Sequence, residues 1–110
     1  MSNNMGNMGK MMRQIQKMQA DLMRVQEELK SKTVEGTAGG GAVKVTANGH
    51  QEIMGLEISP EAVDPNDVEM LQDLILAAVN EALRKSREMA AEEMGKVAGV
   101  AGLPGMPSIF

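Results

Sequence analysis

A heptad pattern of apolar residues near the start of the sequence constrains the fold more than any other feature. Apolar side chains recur at alternating steps of three and four residues, at Met8, Met11, Ile15, Met18, Leu22, Val25 and Leu29. This spacing places all seven on one face of an α-helix, and no Pro or Gly interrupts residues 10–35. The pattern predicts a helix from about Met8 to Lys32, and we call its seven apolar residues the apolar stripe.

The next segment has the pattern of a small antiparallel sheet. Three strands are predicted, at residues 33–38, 42–47 and 50–59. Three consecutive glycines, Gly39 to Gly41, separate the first two strands. Asn48-Gly49 favours a two-residue type I′ turn, in which both residues have positive φ. The second strand alternates, with Val43 and Val45 on one face and Lys44 and Thr46 on the other. On the last strand we expect one apolar face, formed by Met54, Leu56 and Ile58.

A second helix is predicted after the strands. Asp64 is a good N-cap, Pro65 suits the first helical position, and Gly95 is the expected end of the helix. The order is α-β-β-β-α, an α/β (α+β) fold with a small antiparallel three-stranded sheet and two long helices. We expect a disordered N-terminus at residues 1–7, one domain at residues 8–95 and a flexible Gly/Pro/Met tail at residues 96–110.

Composition argues against an enzyme. The chain has no Cys, which excludes a disulfide framework, a thiolate zinc site and a cysteine nucleophile. A single His leaves few routes to acid–base catalysis at neutral pH. We therefore expect no catalytic residues, no metal, no cofactor and no small-molecule substrate.

The geometry of the predicted elements favours a homodimer. A helix of 24 or so residues is ~36 Å long, whereas a sheet of three strands is only ~14 Å wide. Part of the apolar stripe must then lie outside the sheet, and the sheet has two open edges. A symmetric coiled-coil-type homodimer covers both features, and the alternative is a monomer whose two helices pair along their length.

Basic residues follow the outer side of the first helix. Lys10, Lys17 and Arg24 are spaced one heptad apart, with Arg13 beside them. A row of point charges without aromatic neighbours suits contact with phosphates and offers little for reading bases. A second cluster, Arg84, Lys85 and Arg87, lies on the second helix among glutamates that can form pairs within the helix. The alternative for both sets is an ordinary solvated surface.

Charge leaves two classes of function open. The net charge is −4 over the whole chain, but the charges are unevenly distributed. Residues 1–50 carry seven basic and four acidic side chains, whereas residues 51–110 carry four basic and eleven acidic side chains. This asymmetry indicates a region that faces a polyanion in an otherwise acidic protein. One class is a dimeric protein that binds nucleic acid, and the other is an interaction scaffold that does not. No apolar run approaches ~18 residues and no signal peptide is evident, so we expect a cytoplasmic protein with no membrane contact.

Two stretches of the sequence resemble the YbaB/EbfC family of bacterial nucleoid-associated proteins. The first is TAGGGAVKVTANGHQEIMGLEISPEAV at residues 37–63, and the second is LQDLILAAVNEALRKSREMAAEEMGKVAG at residues 71–99. The Met/Gln/Lys-rich first helix and the GLPGMP sequence near the C-terminus agree as well. The resemblance covers almost the whole chain, and it rests on the ordered combination of these pieces.

This resemblance implies a tweezers-shaped homodimer that binds double-stranded DNA in the nucleoid and alters its conformation. The family's proposed roles are nucleoid organisation, gene regulation and DNA protection. By position, the resemblance makes the basic residues of both helices the candidate DNA contacts, namely Lys10, Arg13, Lys17, Arg24, Arg84, Lys85 and Arg87.

Overall fold

The computed structural model describes residues 2–100, and the side chains of residues 7–97 within them. The helices are α1 (Ser2–Ser31) and α2 (Val68–Val100), with a short 3₁₀ turn at Pro60–Ala62 before α2. The strands are β1 (Thr33–Ala38), β2 (Val43–Asn48) and β3 (Ile53–Ile58). They form one antiparallel sheet in the order β1-β2-β3. The predicted α-β-β-β-α architecture is confirmed.

The chain divides into two compact units. One unit comprises Met1–Glu28 and Ala91–Phe110, and the other comprises Leu29–Ala90. We call the first the helical unit and the second the sheet unit. The sheet unit contains all three strands and most of α2, and the helical unit contains most of α1 and the last part of α2.

The core of the sheet unit forms where α2 lies on β2. Val43, Val45 and Ala47 alternate along β2 and are fully buried against Ala78 and Ala82 of α2. Small residues on α2 let the helix backbone approach the sheet closely. Strand β1 contributes Val34 and Ala38 to the same face. The alternation predicted for β2 is therefore confirmed.

The turn between β2 and β3 differs from the predicted type I′ turn. Neither Asn48 nor Gly49 has positive φ, and Gln51 adopts it instead, at 62°. The amide of Gln51 donates to the carbonyl oxygen of Asn48 at 3.1 Å. This is a three-residue loop in which a turn is followed by one left-handed residue. Gly49 is required by close approach, because a Cβ there would lie 2.7 Å from Cδ2 of Leu29.

The apolar face of β3 also differs from the prediction. Ile58, Leu56 and Ile53 pair with Val43, Val45 and Ala47, and a β-bulge interrupts the register opposite Thr46 and Ala47. Directly paired residues share a face, so Ile53 takes the place that was predicted for Met54. Ile53 and Leu56 are nevertheless exposed, which means that α2 covers β1 and β2 and leaves β3 open.

The helix ends correct three further predictions. The N-cap of α2 is Asp67, whose Oδ1 accepts from the amide of Met70 at 3.2 Å, whereas Asp64 accepts from the amide of Asn66 in the preceding turn. Gly95 lies inside α2, which continues to Val100. Helix α1 begins at Ser2, ahead of the predicted Met8. The expectation for the tail beyond Val100 lies outside the described residues.

Candidate nucleic-acid interface

Four cations lie along one side of α1. Lys10, Arg13, Lys17 and Arg24 are all exposed. At 3.6 residues per turn they fall within about 60° around the helix axis, on the side away from the apolar stripe. Each heptad step from Lys10 to Lys17 to Arg24 is ~10 Å along the axis. The helix therefore presents a straight row of positive charge, which we call the basic row.

The N-terminal part of the basic row is free of acidic neighbours in the sequence. No Asp or Glu occurs before Asp21, so the first 20 residues contain three cations and no anion. None of the described side chains forms an ion pair with Lys10, Arg13 or Lys17. These three charges are available to an external anion without the loss of an existing pair.

Arg24 stands in a different environment. Its Nη1 lies 3.0 Å from Oδ1 of Asp21, and its Nε lies 3.7 Å from Oε1 of Glu28. The two carboxylates are one turn away on either side, which is the spacing at which helix side chains meet. Arg24 therefore already has two anionic partners within the helix, unlike Lys10, Arg13 and Lys17.

The second predicted cluster, on α2, belongs to the sheet unit and is mostly engaged. Arg84 Nη1 pairs with Oε1 of Glu88 at 2.7 Å. Lys85 Nζ pairs with Oε1 of Glu81 at 3.1 Å and donates to the carbonyl oxygen of Glu35 at 2.9 Å. Arg87 is exposed and, among the described side chains, has no ion-pair partner. Only Arg87 resembles the N-terminal cations of α1.

Sequence reasoning found the candidate cations and indicated that those of α2 can pair with glutamates of the same helix, but it did not indicate the pairs of Arg24. The pairs of Arg24, Arg84 and Lys85 with glutamates follow from i, i+4 spacing, and that signal was available. The contact of Lys85 with the Glu35 carbonyl joins residues 50 positions apart. No local pattern could reveal it.

An exposed row of cations is suited to contact with a polyanion. In the part of the chain that the structure describes, no group of three or more His, Cys, Asp and Glu side chains is placed to hold a metal ion. Within that same part, no helix is long and apolar enough to cross a membrane. What residues 2–100 do present is an exposed row of cations on a long helix.

Comparison with known proteins shows which family this sequence matches. Residues 5–101 match the sequence profile of the YbaB/EbfC DNA-binding family. A nucleoid-associated protein of Pelotomaculum thermopropionicum is 64% identical over 101 residues, covering 92% of this chain and 96% of the relative. A nucleoid-associated protein of Moorella thermoacetica is 66% identical over 101 residues, which cover 92% of this chain and 97% of that relative.

A solved structure shares the fold. The crystal structure of an uncharacterized protein from Helicobacter pylori matches with a TM-score of 0.68 and covers 77% of this chain and 89% of that chain. The sequence identity is 24%. This likeness supports the arrangement of helices and strands described above.

Proposed function

Because the chain belongs to the YbaB/EbfC DNA-binding family, we propose that it binds double-stranded DNA through phosphate contacts made by α1. The binding surface is the N-terminal part of the basic row, Lys10, Arg13 and Lys17. Arg87 of α2 is a secondary contact. The names of the relatives support the nucleoid as the place where the protein acts.

One observation carries this proposal. Lys10, Arg13 and Lys17 are exposed, lie on one side of α1 and have no ion pair with any described side chain. An external phosphate can therefore bind them without competing against a carboxylate of the same helix. Phosphate contacts of this kind supply most of the non-specific affinity of proteins for duplex DNA.

The composition of the chain and the kind of contact proposed both imply that DNA binding has weak sequence preference. The chain has one Phe and no Trp or Tyr, so it lacks the aromatic platforms on which single-stranded bases stack. Phosphate contacts position a protein on DNA and carry no sequence information directly. We propose that the protein alters DNA conformation through such contacts, with roles in nucleoid organisation, gene regulation and DNA protection.

The sheet unit supports a homodimer as the active form. Strand β3 is at the edge of the sheet, and its exposed Ile53 and Leu56 lie on the face that α2 covers elsewhere. An open strand edge beside exposed apolar side chains is typical of an association surface. A second copy that meets β3 around a two-fold axis covers both at once, and the two copies together double the number of basic rows.

Salt-dependent binding tests the DNA contact. If each protomer neutralises two or three phosphates, a dimer should give a slope of log affinity against log salt of about −4 to −5, since duplex DNA contributes ~0.9 per phosphate. The test variant changes Lys10, Arg13 and Lys17 together to Gln. Fluorescence anisotropy with a labelled duplex is measured over a series of NaCl concentrations. We expect a flatter slope and affinity reduced about equally for all duplex sequences.

A matched control removes the same charge from the other helix. It changes Arg84, Lys85 and Arg87 to Gln, and circular dichroism checks that both variants remain folded. We expect the control to bind more like the parent, because two of its three cations are already paired. If the α1 variant binds DNA like the parent at every salt concentration, the basic row is a solvated surface. An interaction scaffold that binds no nucleic acid would then be the better account, unless the control lost binding.

A further inference from the structure

The Asn48-Gly49 pair at the end of β2 is capable of a reaction within its own backbone. An asparagine followed by glycine is the dipeptide most prone to deamidation, because glycine has no Cβ to hinder attack by its own nitrogen. The glycine nitrogen attacks Cγ of the asparagine, and its proton leaves with the side-chain amide as ammonia. The product is a succinimide ring, which water then opens to give aspartate or isoaspartate. The chain therefore carries a nucleophile directly beside an amide that it can modify.

The folded chain holds the nucleophile of this reaction in place. Gly49 is buried, and its N–H donates to the carbonyl oxygens of Leu29 at 2.8 Å and Lys32 at 3.1 Å. The Leu29 side chain, which is 2% exposed, packs directly against it, since a Cβ on Gly49 would lie 2.7 Å from Cδ2 of Leu29. Water and hydroxide are therefore kept from the proton that must be removed before the nitrogen can attack.

The carboxamide that would be attacked is held as well. Asn48 is 1% exposed. Its Nδ2 donates to the carbonyl oxygen of Lys30 at 3.1 Å and to Oε1 of Glu52 at 2.8 Å. Its Oδ1 accepts from the amides of His50 at 2.9 Å and Glu52 at 3.1 Å. Ring closure moves Cγ onto the Gly49 nitrogen and releases the amide nitrogen, so it costs these hydrogen bonds.

We propose that Asn48 is a deamidation site that the fold keeps closed, and that it reacts only when the β2–β3 turn separates from α1 and α2. The rate in the folded protein is then the intrinsic rate multiplied by the fraction of molecules in which the turn is open. All the groups involved belong to the sheet unit, Leu29–Ala90. The proposal therefore does not depend on DNA binding.

Deamidation prevents the turn from closing again. Aspartate places an oxygen where Nδ2 of Asn48 now donates to the Lys30 carbonyl and the Glu52 carboxylate, so three acceptor oxygens meet without a donor. Burial of one carboxylate beside another is also costly. Isoaspartate adds a methylene group to the backbone, which displaces Gly49 from its two carbonyl acceptors. A transient opening is thus converted into a permanent loss of the contact, because the ammonia has left.

Mass spectrometry of the full chain tests the protection. The parent is incubated in mildly alkaline buffer with and without denaturing urea, and deamidation at Asn48 is followed in digests. We expect the reaction to be at least about a hundredfold faster in urea. Asn80, on the exposed side of α2, is the internal control and should react slowly in both, because the following Glu81 hinders attack. Equal rates at Asn48 in both conditions would overturn the protection, and no reaction in urea would overturn the site.

Ser86 supplies a graded test, because its hydroxyl donates to the backbone carbonyl oxygen of Asn48 at 2.6 Å and takes no part in the reaction. Ser86→Ala loses this bond, so the turn opens more often. We expect deamidation of the folded chain to become about fivefold faster, while the rate in urea stays that of the parent. Gln72→Ala, at an exposed position of α2, is the control and should react like the parent. An unchanged rate in folded Ser86→Ala would overturn a reaction gated by opening of the turn.

Asn48→Asp reproduces the aspartate product. We expect it to reduce the equilibrium constant for folding by at least about tenfold in urea titrations, and to speed amide exchange at Gly49. Asn80→Asp makes the same change of charge at an exposed position and should unfold like the parent. Failure of Asn48→Asp to fold beside a folded Asn80→Asp supports the proposal equally. If Asn48→Asp is as stable as the parent, deamidation does not hold the turn open and that part of the proposal is wrong.

Discussion

The hydroxyl group of Ser86 donates a hydrogen bond to the backbone carbonyl oxygen of Asn48 at 2.6 Å, and both residues are buried. The Asn48 side chain extends this contact. Its Nδ2 donates to the carbonyl oxygen of Lys30 at 3.1 Å and to Oε1 of Glu52 at 2.8 Å, and its Oδ1 accepts from the amides of His50 and Glu52. One asparagine thus joins the end of α1, the β2–β3 turn and α2 within the sheet unit.

Substitution of Ser86 and substitution of Asn48 should lower the free energy of unfolding by different amounts. Ser86→Ala loses one buried hydrogen bond, and we expect the free energy of unfolding to fall by about 1 kcal/mol. Asn48→Ala loses four side-chain hydrogen bonds, so its effect should be at least about twice as large. Urea unfolding followed by circular dichroism measures both. Gln72→Ala, on the exposed side of α2, is the control and should change stability by less than ~0.5 kcal/mol.

Gly36 on β1 should tolerate no side chain. A Cβ at this position would collide with the backbone of Ala78 and Ala82 on α2. Backbone atoms inside a packed helix cannot yield as a flexible side chain can, so we expect Gly36→Ala to cost more than ~2 kcal/mol of stability. Gly55→Ala on β3 is the matched control, because the nearest atom to a Cβ there is 4.0 Å away. Equal thermal stability of the two variants would contradict the close approach of α2 to β1.

The sequence predicted the elements whose signals are periodic. The apolar stripe indicated α1, and alternation at Val43 and Val45 gave the buried face of β2 correctly. The failures have tertiary causes. Gly49 is needed because the Leu29 side chain approaches it closely, and the Asn-Gly turn sequence does not indicate this contact. Gly95 remains helical because one glycine costs only ~1 kcal/mol in a helix, and Val97 beyond it is buried.

The sequence offered two possible N-caps for α2, and it gave the positions of the candidate cations more completely than their contacts. Asp64 and Asp67 are both good caps three residues apart, and only the structure shows that Asp67 holds the first turn. For the basic residues, spacing gave their positions on one side of α1. The i, i+4 spacing also indicated pairs with glutamates, but it could not indicate the contact of Lys85 with the distant strand β1.

Single charge removals should separate Lys17 from Arg24 as DNA contacts. Lys17 has no ion pair with a described side chain, whereas Arg24 pairs with Asp21 and Glu28. We expect Lys17→Gln to reduce the magnitude of the salt slope by ~0.9 per protomer, or ~1.8 in a dimer. Arg24→Gln should leave the slope close to that of the parent. Anisotropy titrations over a salt series measure both, and equal changes would show that the pairs of Arg24 open on DNA.

The exposed apolar face of β3 should control assembly. Leu56 is exposed although it pairs with the fully buried Val45 across the sheet, so a second copy has an apolar surface to cover. We expect the parent to sediment as a dimer at tens of micromolar. Leu56→Lys should raise the dimer dissociation constant by at least about tenfold, because a charge buried without a partner costs several kcal/mol. Leu76→Lys, at an exposed position of α2, is the control and should sediment like the parent. A parent that sediments as a monomer at this concentration would remove the homodimer from the proposed function, and a dimer unaffected by Leu56→Lys would place its interface elsewhere.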